Sequence, residues 1–365
     1  MHDGKPEAAR NPDAILAGGG IIGLALALEL LRRGLSVTVV ERQQAMSSAS
    51  WAAGGMLAVE DPQNPPALMP LCELSRALYP AFLERMESLS GQHVPLRTRQ
   101  ALQHVDARTP HGLRLATREA ITALVPGLHP GDLQFALLEE DSLDPNDLRA
   151  ALPAAVRAAG GSILEETPVL GVETGASGVR VQTSRATLST GVFVNCCGAW
   201  AGDAALGGLP IAPVKGQMLN LYCAPERLRC VVRAPGVYLI PRGEGRVTIG
   251  ATLEDAGFDE TVFAESVAPL AAQARVLLPE LEPMPQVEQW AGLRPGTPDA
   301  LPVMGAAAME HCWHATGHYR DGILLAPATA HLMAQMILGE TPEIPLGDFA
   351  PERFAASDAQ LRAAS

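Results

Sequence analysis

Three glycines and one glutamate have the spacing most suggestive of chemistry. Gly18, Gly20 and Gly23 follow the apolar run Ala14-Ile-Leu-Ala17 and satisfy G-x-G-x-x-G, and Glu41 lies 23 residues after Gly18. That combination is suited to holding a dinucleotide. Gly18 permits a tight turn, Gly20 lets a pyrophosphate approach bare backbone, and Gly23 lets the next helix pack close to the strand. Ile21 and Ile22 lie within the turn as candidate cofactor contacts, and the first N–H groups of that helix have no intrahelical acceptor and favour an anion. Glu41 suits ribose hydroxyls and would repel a 2′-phosphate, which disfavours NADP. A purely structural glycine turn is the competing reading, but the flanking strands and the acid favour the dinucleotide. Spacing alone does not choose between NAD and FAD.

The elements that must position these residues follow from the pattern on either side. An Ala/Leu-rich stretch from Leu24 to Arg33 reads as a helix stopped by Gly34, and Val37-Thr-Val-Val40 as a second strand, so the start is strand–turn–helix–strand. Ser47, Ser48 and Ser50 then precede Ala52-Ala53-Gly54-Gly55-Met56. Hydroxyls followed by small residues suit a loop feeding a helix N-terminus, a second place to hold phosphate, with backbone able to lie flat against a planar ring. A flexible linker is the alternative.

Further along, helices are expected over 71–89, stopped by Gly91, and over 117–125. Another is expected from Asp144-Pro145 to about Ala159, with Asp144 as N-cap, and others over 266–278 and 323–338. Strands are expected over 94–105, 113–118, 162–164, 167–172, 178–183, 186–188 and 191–195. Alternating segments 211–221, 231–242 and 246–251 predict an antiparallel sheet with one buried face, and 287–294 and 311–316 two more strands. The fold class is therefore mixed α/β and α+β, with the first part of the chain leaving and rejoining its own sheet.

Composition narrows the classes. A chain of 365 residues can bury two cores, and 47% hydrophobic with 18% charged residues is that of an ordinary folded enzyme. The net charge of −13 argues against nucleic acid or an anionic membrane as partner. No apolar run is long enough for a membrane span, and Met1–Pro12 does not read as a signal peptide. Six cysteines without a C-x-x-C pair read as reduced thiols of a cytoplasmic protein. No metal-binding spacing is found among the nine histidines.

Several stretches coincide with one family. Besides the glycine turn with Glu41-Arg42 and Ala52–Met56, they are Cys197-Gly-Ala-Trp200, Val214-Lys-Gly-Gln217, Tyr238-Leu-Ile-Pro-Arg242 and Gly250-Ala-Thr252. The most specific are Trp290-Ala-Gly-Leu-Arg-Pro-Gly-Thr297 and Gly317-His-Tyr-Arg-Asp-Gly-Ile-Leu-Leu-Ala-Pro327. In this order, from residue 14 to about 340, the chain resembles the D-amino-acid-oxidase-like FAD oxidoreductases, most closely their glycine oxidase (ThiO) branch.

The resemblance implies noncovalent FAD in a Rossmann-like domain of the glutathione-reductase type, with a second domain on an antiparallel sheet. Residues 10–62, 142–212 and 290–345 would form the first, and 63–141 and 213–289 the second. It implies oxidation of a small amino acid by O2 to an imine and hydrogen peroxide, a supply of dehydroglycine for thiamin thiazole synthesis, and a homo-oligomer, commonly a tetramer. Arg294 would anchor the substrate carboxylate, since a planar guanidinium matches it bidentately, and Tyr238 and Arg320 would complete the substrate site. Ser48, Val169, Cys197, Gly198, Trp200, His318, Tyr319, Arg320 (near both flavin and substrate), Asp321, Gly322 and Ile323 join the glycine turn, Glu41, Arg42 and Ala52–Met56 as cofactor contacts. A solvated or structural role is the plain alternative for each arginine, and a half-buried strand residue for Tyr238. Residues 58–70 depart from the family pattern. Lys215 has no spacing that assigns it to the oxygen reaction. Two rival functions stay open: a dehydrogenase of the same fold with another electron acceptor, and a flavin-binding protein without turnover. A plain NAD dehydrogenase is the least supported.

Overall fold

In a computed structural model the described residues are 11–106, 109, 112–176, 178–283 and 288–354. Ala14–Ala17 is the centre of a six-stranded sheet and is buried on both faces. It runs parallel to Val37–Val40 on one side and Val192–Asn195 on the other. Ser162–Leu164 and Cys312–Thr316 extend the parallel pairing outward, and Val303–Ala306 closes one edge antiparallel. Burial on both faces is why the central strands are short continuous apolar runs without alternation.

One face of this sheet carries helices. Ile21–Arg32 packs against Gly322–Ile337 and Pro145–Ala158, with Leu24, Leu28, Leu148, Leu325 and Leu332 buried between them. Met69–Ser90 lies against Gly322–Ile337, and its Ser75 and Tyr79 hydroxyls donate to the Leu324 and Ile323 carbonyls. The opposite face is covered by a three-stranded antiparallel sheet, Val169–Gly175, Gly178–Thr183 and Thr187–Thr190. Its Val179 and Val181 meet Ile15, Ala17 and Phe193.

A nine-stranded, mostly antiparallel sheet forms the other half. Its path runs Glu282–Pro283, Ala212–Tyr222, Arg246–Gly250, Val237–Pro241, Val231–Ala234, Thr98–Val105, Gln134–Ser142 and Met56–Leu57, with Gln289–Gly296 paired along Ala212–Tyr222. The helix Ala264–Leu277 covers one face, burying Leu219, Leu239 and Ile249 under Leu270 and Leu277.

Several expectations hold locally. Asp144 caps Pro145–Ala158 by accepting from the Asn146 N–H at 3.0 Å, and Gly91 ends Met69–Ser90 at φ +68°. Others change. The expected strand 231–242 is a hairpin, because Pro235-Gly236, with Gly236 at φ +72°, turns the chain between Ala234 and Val237. Gln134–Ser142 and Val303–Ala306 are strands that were not expected. Segment 113–118 contributes one bridge, Leu115 to Ala136, rather than a strand. Residue 287, the expected start of one strand, and most of Met1–Pro12 lie outside the described residues.

Three elements also cross the expected domain borders. Met69–Ser90 packs with the helices of the parallel sheet because its Leu71, Cys72, Leu83 and Met86 are buried in that core. Met56–Leu57 and Gln289–Gly296 instead belong to the nine-stranded sheet, where their backbone groups are paired.

Candidate active site

A cavity of about 400 Å³ lies between the glycine turn and the nine-stranded sheet. The turn is built as its spacing requires. Gly18 sits at φ +110°, and a Cβ there would strike the Cys196 carbonyl. A Cβ on Gly23 would strike the Gly18 carbonyl, so helix and strand approach as closely as backbone allows. Gly20 has only the Ser50 hydroxyl near its missing Cβ, at 3.2 Å, and faces the cavity. The Ile21 N–H donates to Ser50 Oγ at 2.9 Å. Glu41 ends its strand inside the turn, accepting from the Gly19 N–H at 2.6 Å and the Gln43 N–H at 2.8 Å.

The sheet side has a glycine floor. Gly216 and Gly292 face each other in register, as do Gly250 and Tyr238. A Cβ on Gly216 would collide with the Arg294 guanidinium, and one on Gly250 with the Tyr238 ring. The missing side chains are thus what lets Arg294 and Tyr238 lie against the sheet. The loop Ala52–Met56 packs against the sheet, with Ala52 over Gly292, and is pinned from behind by buried Arg242. That arginine donates to the Leu143 carbonyl at 2.6 Å and the Gly54 carbonyl at 2.9 Å, and its burial draws its pKa down to about 10.

Seventeen expected site residues line the cavity: Gly20, Ile21, Ile22, Ala52 through Met56, Gly198, Tyr238, Arg294 and His318 through Ile323. Gly18, Gly23, Glu41, Arg42, Ser48, Val169, Cys197 and Trp200 do not. Gly18, Gly23 and Glu41 shape the turn. The Arg42 guanidinium stacks on the Trp200 ring at 3.4 Å, and Phe258 stacks on the same ring at 5.3 Å. The Cys197 thiol, pushed up to about 12 by burial, donates to the Ala17 carbonyl. Val169 begins the first strand of the three-stranded sheet. Ser48 turns toward Gln43 on the surface, so Ser50 is the hydroxyl that meets the helix start. Lys215, to which the sequence assigns no role, lies outside the cavity. It alternates with Gly216 and Met218, so it projects from the face away from the cavity, 3.6 Å from Asp259.

Sequence reasoning missed Asp61, Gln63, Gln103 and Arg233, which also line the cavity. Of these, only Arg233 carried a signal, as a charge within the apolar stretch Val231-Val232-Arg233-Ala234. Partners separate the three cavity arginines. Arg233 meets both Glu140 oxygens at 2.5 Å, and Arg320 meets Asp61 at 2.8 Å. Among the described residues Arg294 has no carboxylate partner, and its guanidinium reaches only the Thr252 carbonyl at 3.4 Å. His318 is held neutral, its pKa drawn down to about 3 by burial, with Nε2 2.9 Å from Thr329 Oγ1. Burial pushes the Asp321 carboxyl up to about 6 against the pull of Arg320.

These features fit flavin adenine dinucleotide. Bare backbone at Gly20 and an N-terminal helix turn without acidic residues suit a pyrophosphate. The glycine floor draws Arg294 and Tyr238 down against the sheet, and the N-terminus of Gly322–Ile337 opens at the same cavity. Residues 13–336 match the family model described as FAD dependent oxidoreductase. The chain belongs to that family. Among curated proteins it is 36% identical to a glycine oxidase of Pseudomonas aeruginosa, over 92% of this chain and 98% of that one. It is 35% identical to a bifunctional ThiO/ThiG protein of Nostoc, over 92% of this chain and 54% of that one. Among solved structures, glycine oxidase from Geobacillus kaustophilus superposes with a TM-score of 0.86 at 30% identity, covering 93% and 98% of the two chains. The enzyme is thus an FAD-dependent oxidoreductase with the mixed α/β fold expected. Among its described residues, no helix is long and apolar enough to cross a membrane and no acid, His or Cys cluster could hold a metal ion.

Proposed function

We propose that this enzyme oxidises the Cα–N bond of glycine and other small amines bearing one carboxylate, such as sarcosine and short D-amino acids. The observation that carries the reading is Arg294, a guanidinium in the cavity without an acidic partner among the described residues. A planar fork held against a glycine floor suits a bidentate carboxylate. The Tyr238 hydroxyl, whose protein contact is Met218 Sδ at 3.7 Å, is available to the same group. The glycine turn, Glu41 and the start of Gly322–Ile337 would hold the dinucleotide, with Arg42 and Trp200 stacked beside the turn. The parallel sheet would carry most of the cofactor site and the nine-stranded sheet the substrate site, with the borders shifted by the three crossing elements.

FAD, held by the glycine turn and the start of Gly322–Ile337, would supply a two-electron acceptor for the hydride leaving Cα and a route for those electrons to O2, giving hydrogen peroxide. The substrate loses a hydride and an amine proton to give an imine, which water converts to a 2-oxo acid and ammonia, or methylamine where the substrate is sarcosine. Because hydrogen leaves Cα as hydride, no base at carbon is needed, in keeping with His318 being buried with its Nε2 paired to Thr329 Oγ1. Similarity to the ThiO/ThiG proteins supports dehydroglycine supply for thiamin synthesis as the role. Buried, reduced thiols suit the cytoplasm, and the family resemblance suggests a homotetramer.

An oxygen electrode tests the reaction. Glycine or sarcosine should drive oxygen uptake with one peroxide formed per O2. Dye reduction without oxygen uptake would replace the oxidase with a dehydrogenase, and the absence of both would overturn the reading.

A further inference from the structure

Two of the three cavity arginines are already neutralised, and the pairing is built into the fold. Asp61 has a side chain only 4% exposed. Its Oδ1 accepts from the Gln63 N–H at 2.9 Å, and its Oδ2 takes Arg320 Nη2 at 2.8 Å. Gln63 Oε1 accepts from the other Arg320 nitrogen at 2.5 Å. The turn bearing both residues is closed by Asn64, which donates to the Ala58 carbonyl at 3.0 Å through its side chain and to the Asp61 carbonyl at 3.0 Å through its N–H. Next to this pair, Arg233 holds both oxygens of Glu140 and donates to Gln103 at 3.2 Å. Asp321 adds a third carboxyl to the same end of the cavity. That end therefore sets two guanidiniums against three carboxyls, and offers no surplus positive charge.

We propose that Asp61 determines specificity: by neutralising Arg320 it leaves Arg294 as the single uncompensated cation among the described residues of the cavity and restricts it to amines with one carboxylate. The inference rests on the assignment of Arg294 as carboxylate anchor. A second carboxylate would be desolvated without a free cation to meet it, and would face Asp61 and Asp321. The hydrogen of glycine or the methyl of sarcosine needs no such partner. Residues 58–70, which depart from the family pattern, are thereby given a task.

Sarcosine and iminodiacetate test this directly, since they differ by one carboxylate on the N-methyl carbon. The wild-type holoenzyme should favour sarcosine in kcat/KM by about 100-fold or more, because a buried site that leaves charge unpaired discriminates strongly. Asp61→Asn keeps the shape but frees Arg320, and should narrow that ratio by about tenfold, mainly through KM for iminodiacetate. Asp61→Glu should restore discrimination. Flavin absorbance shifts give a readout independent of turnover: Asp61→Asn should tighten malonate about tenfold and leave acetate little changed. An unchanged ratio in FAD-loaded Asp61→Asn would overturn the proposal. So would a wild-type enzyme that uses both amines equally, whether or not the variant folds. If acetate fails to perturb the flavin and no amine is oxidised, the fault lies with the proposed function itself.

Discussion

At the residue scale, three arginines share one cavity and their partners give them different work. Arg233 and Arg320 are each held by an acid, whereas Arg294 meets a backbone carbonyl. Replacing Arg294 by Ala should raise KM for glycine by about 100-fold, because a buried carboxylate loses its charged partner. Steady-state kinetics checks this, and an unchanged KM would remove Arg294 from the site. Asp321 carries a different consequence. Its carboxyl titrates near pH 6 in the folded chain, against 3.8 for an ordinary aspartate. Between those values the native state holds a proton that the unfolded state has released, so stability falls as pH rises through the window. Asp321→Asn should therefore stabilise FAD-free protein above pH 6, by on the order of 2 kcal/mol, with no gain below pH 4. Urea melts at pH 4 and 8 measure it, and an equal gain at both would contradict the assignment.

At the scale of elements, the glycine turn is where the sequence was most readable. Each glycine has a local reason: Gly18 a positive φ, Gly23 a carbonyl against its Cα, Gly20 an open face. Gly20→Val would place a branched side chain in that space, and should yield protein without FAD or insoluble protein. A yellow, fully loaded Gly20→Val enzyme would refute the cofactor assignment. Helices were legible for the same local reason, since a 3.6-residue period and caps such as Asp144 sit within a few residues of each other. Gln134–Ser142 was not. Its Glu139-Glu140-Asp141 run reads as a solvated loop until Arg233, on another strand, buries Glu140. The hairpin was legible in Pro235-Gly236, a turn dipeptide, and the apolar residues on both sides made the segment read as one strand.

For the whole molecule, the cavity exists because two sheets meet, and its chemistry depends on pairs remote in sequence. Arg320 and Asp61 are 259 residues apart, and Arg233 and Glu140 are 93 apart. Motifs pointed to the residues that resemble a family, and so to Arg294, Tyr238 and the loop Gly317–Ile323. They could not show Asp61, Gln63 or Gln103, which have no motif and acquire a role only through contacts that folding creates. Lys215 shows the reverse, since a conspicuous residue in a matching segment falls on the far face of its strand. The two sheets together make a flavin enzyme that draws electrons from a small amino acid. The most direct measurement is the absorbance spectrum of purified protein under anaerobic conditions, before and after glycine. Flavin bands should bleach with glycine and return with air as peroxide appears. Flavin bands that persist unchanged with glycine, sarcosine and D-alanine alike would contradict the account.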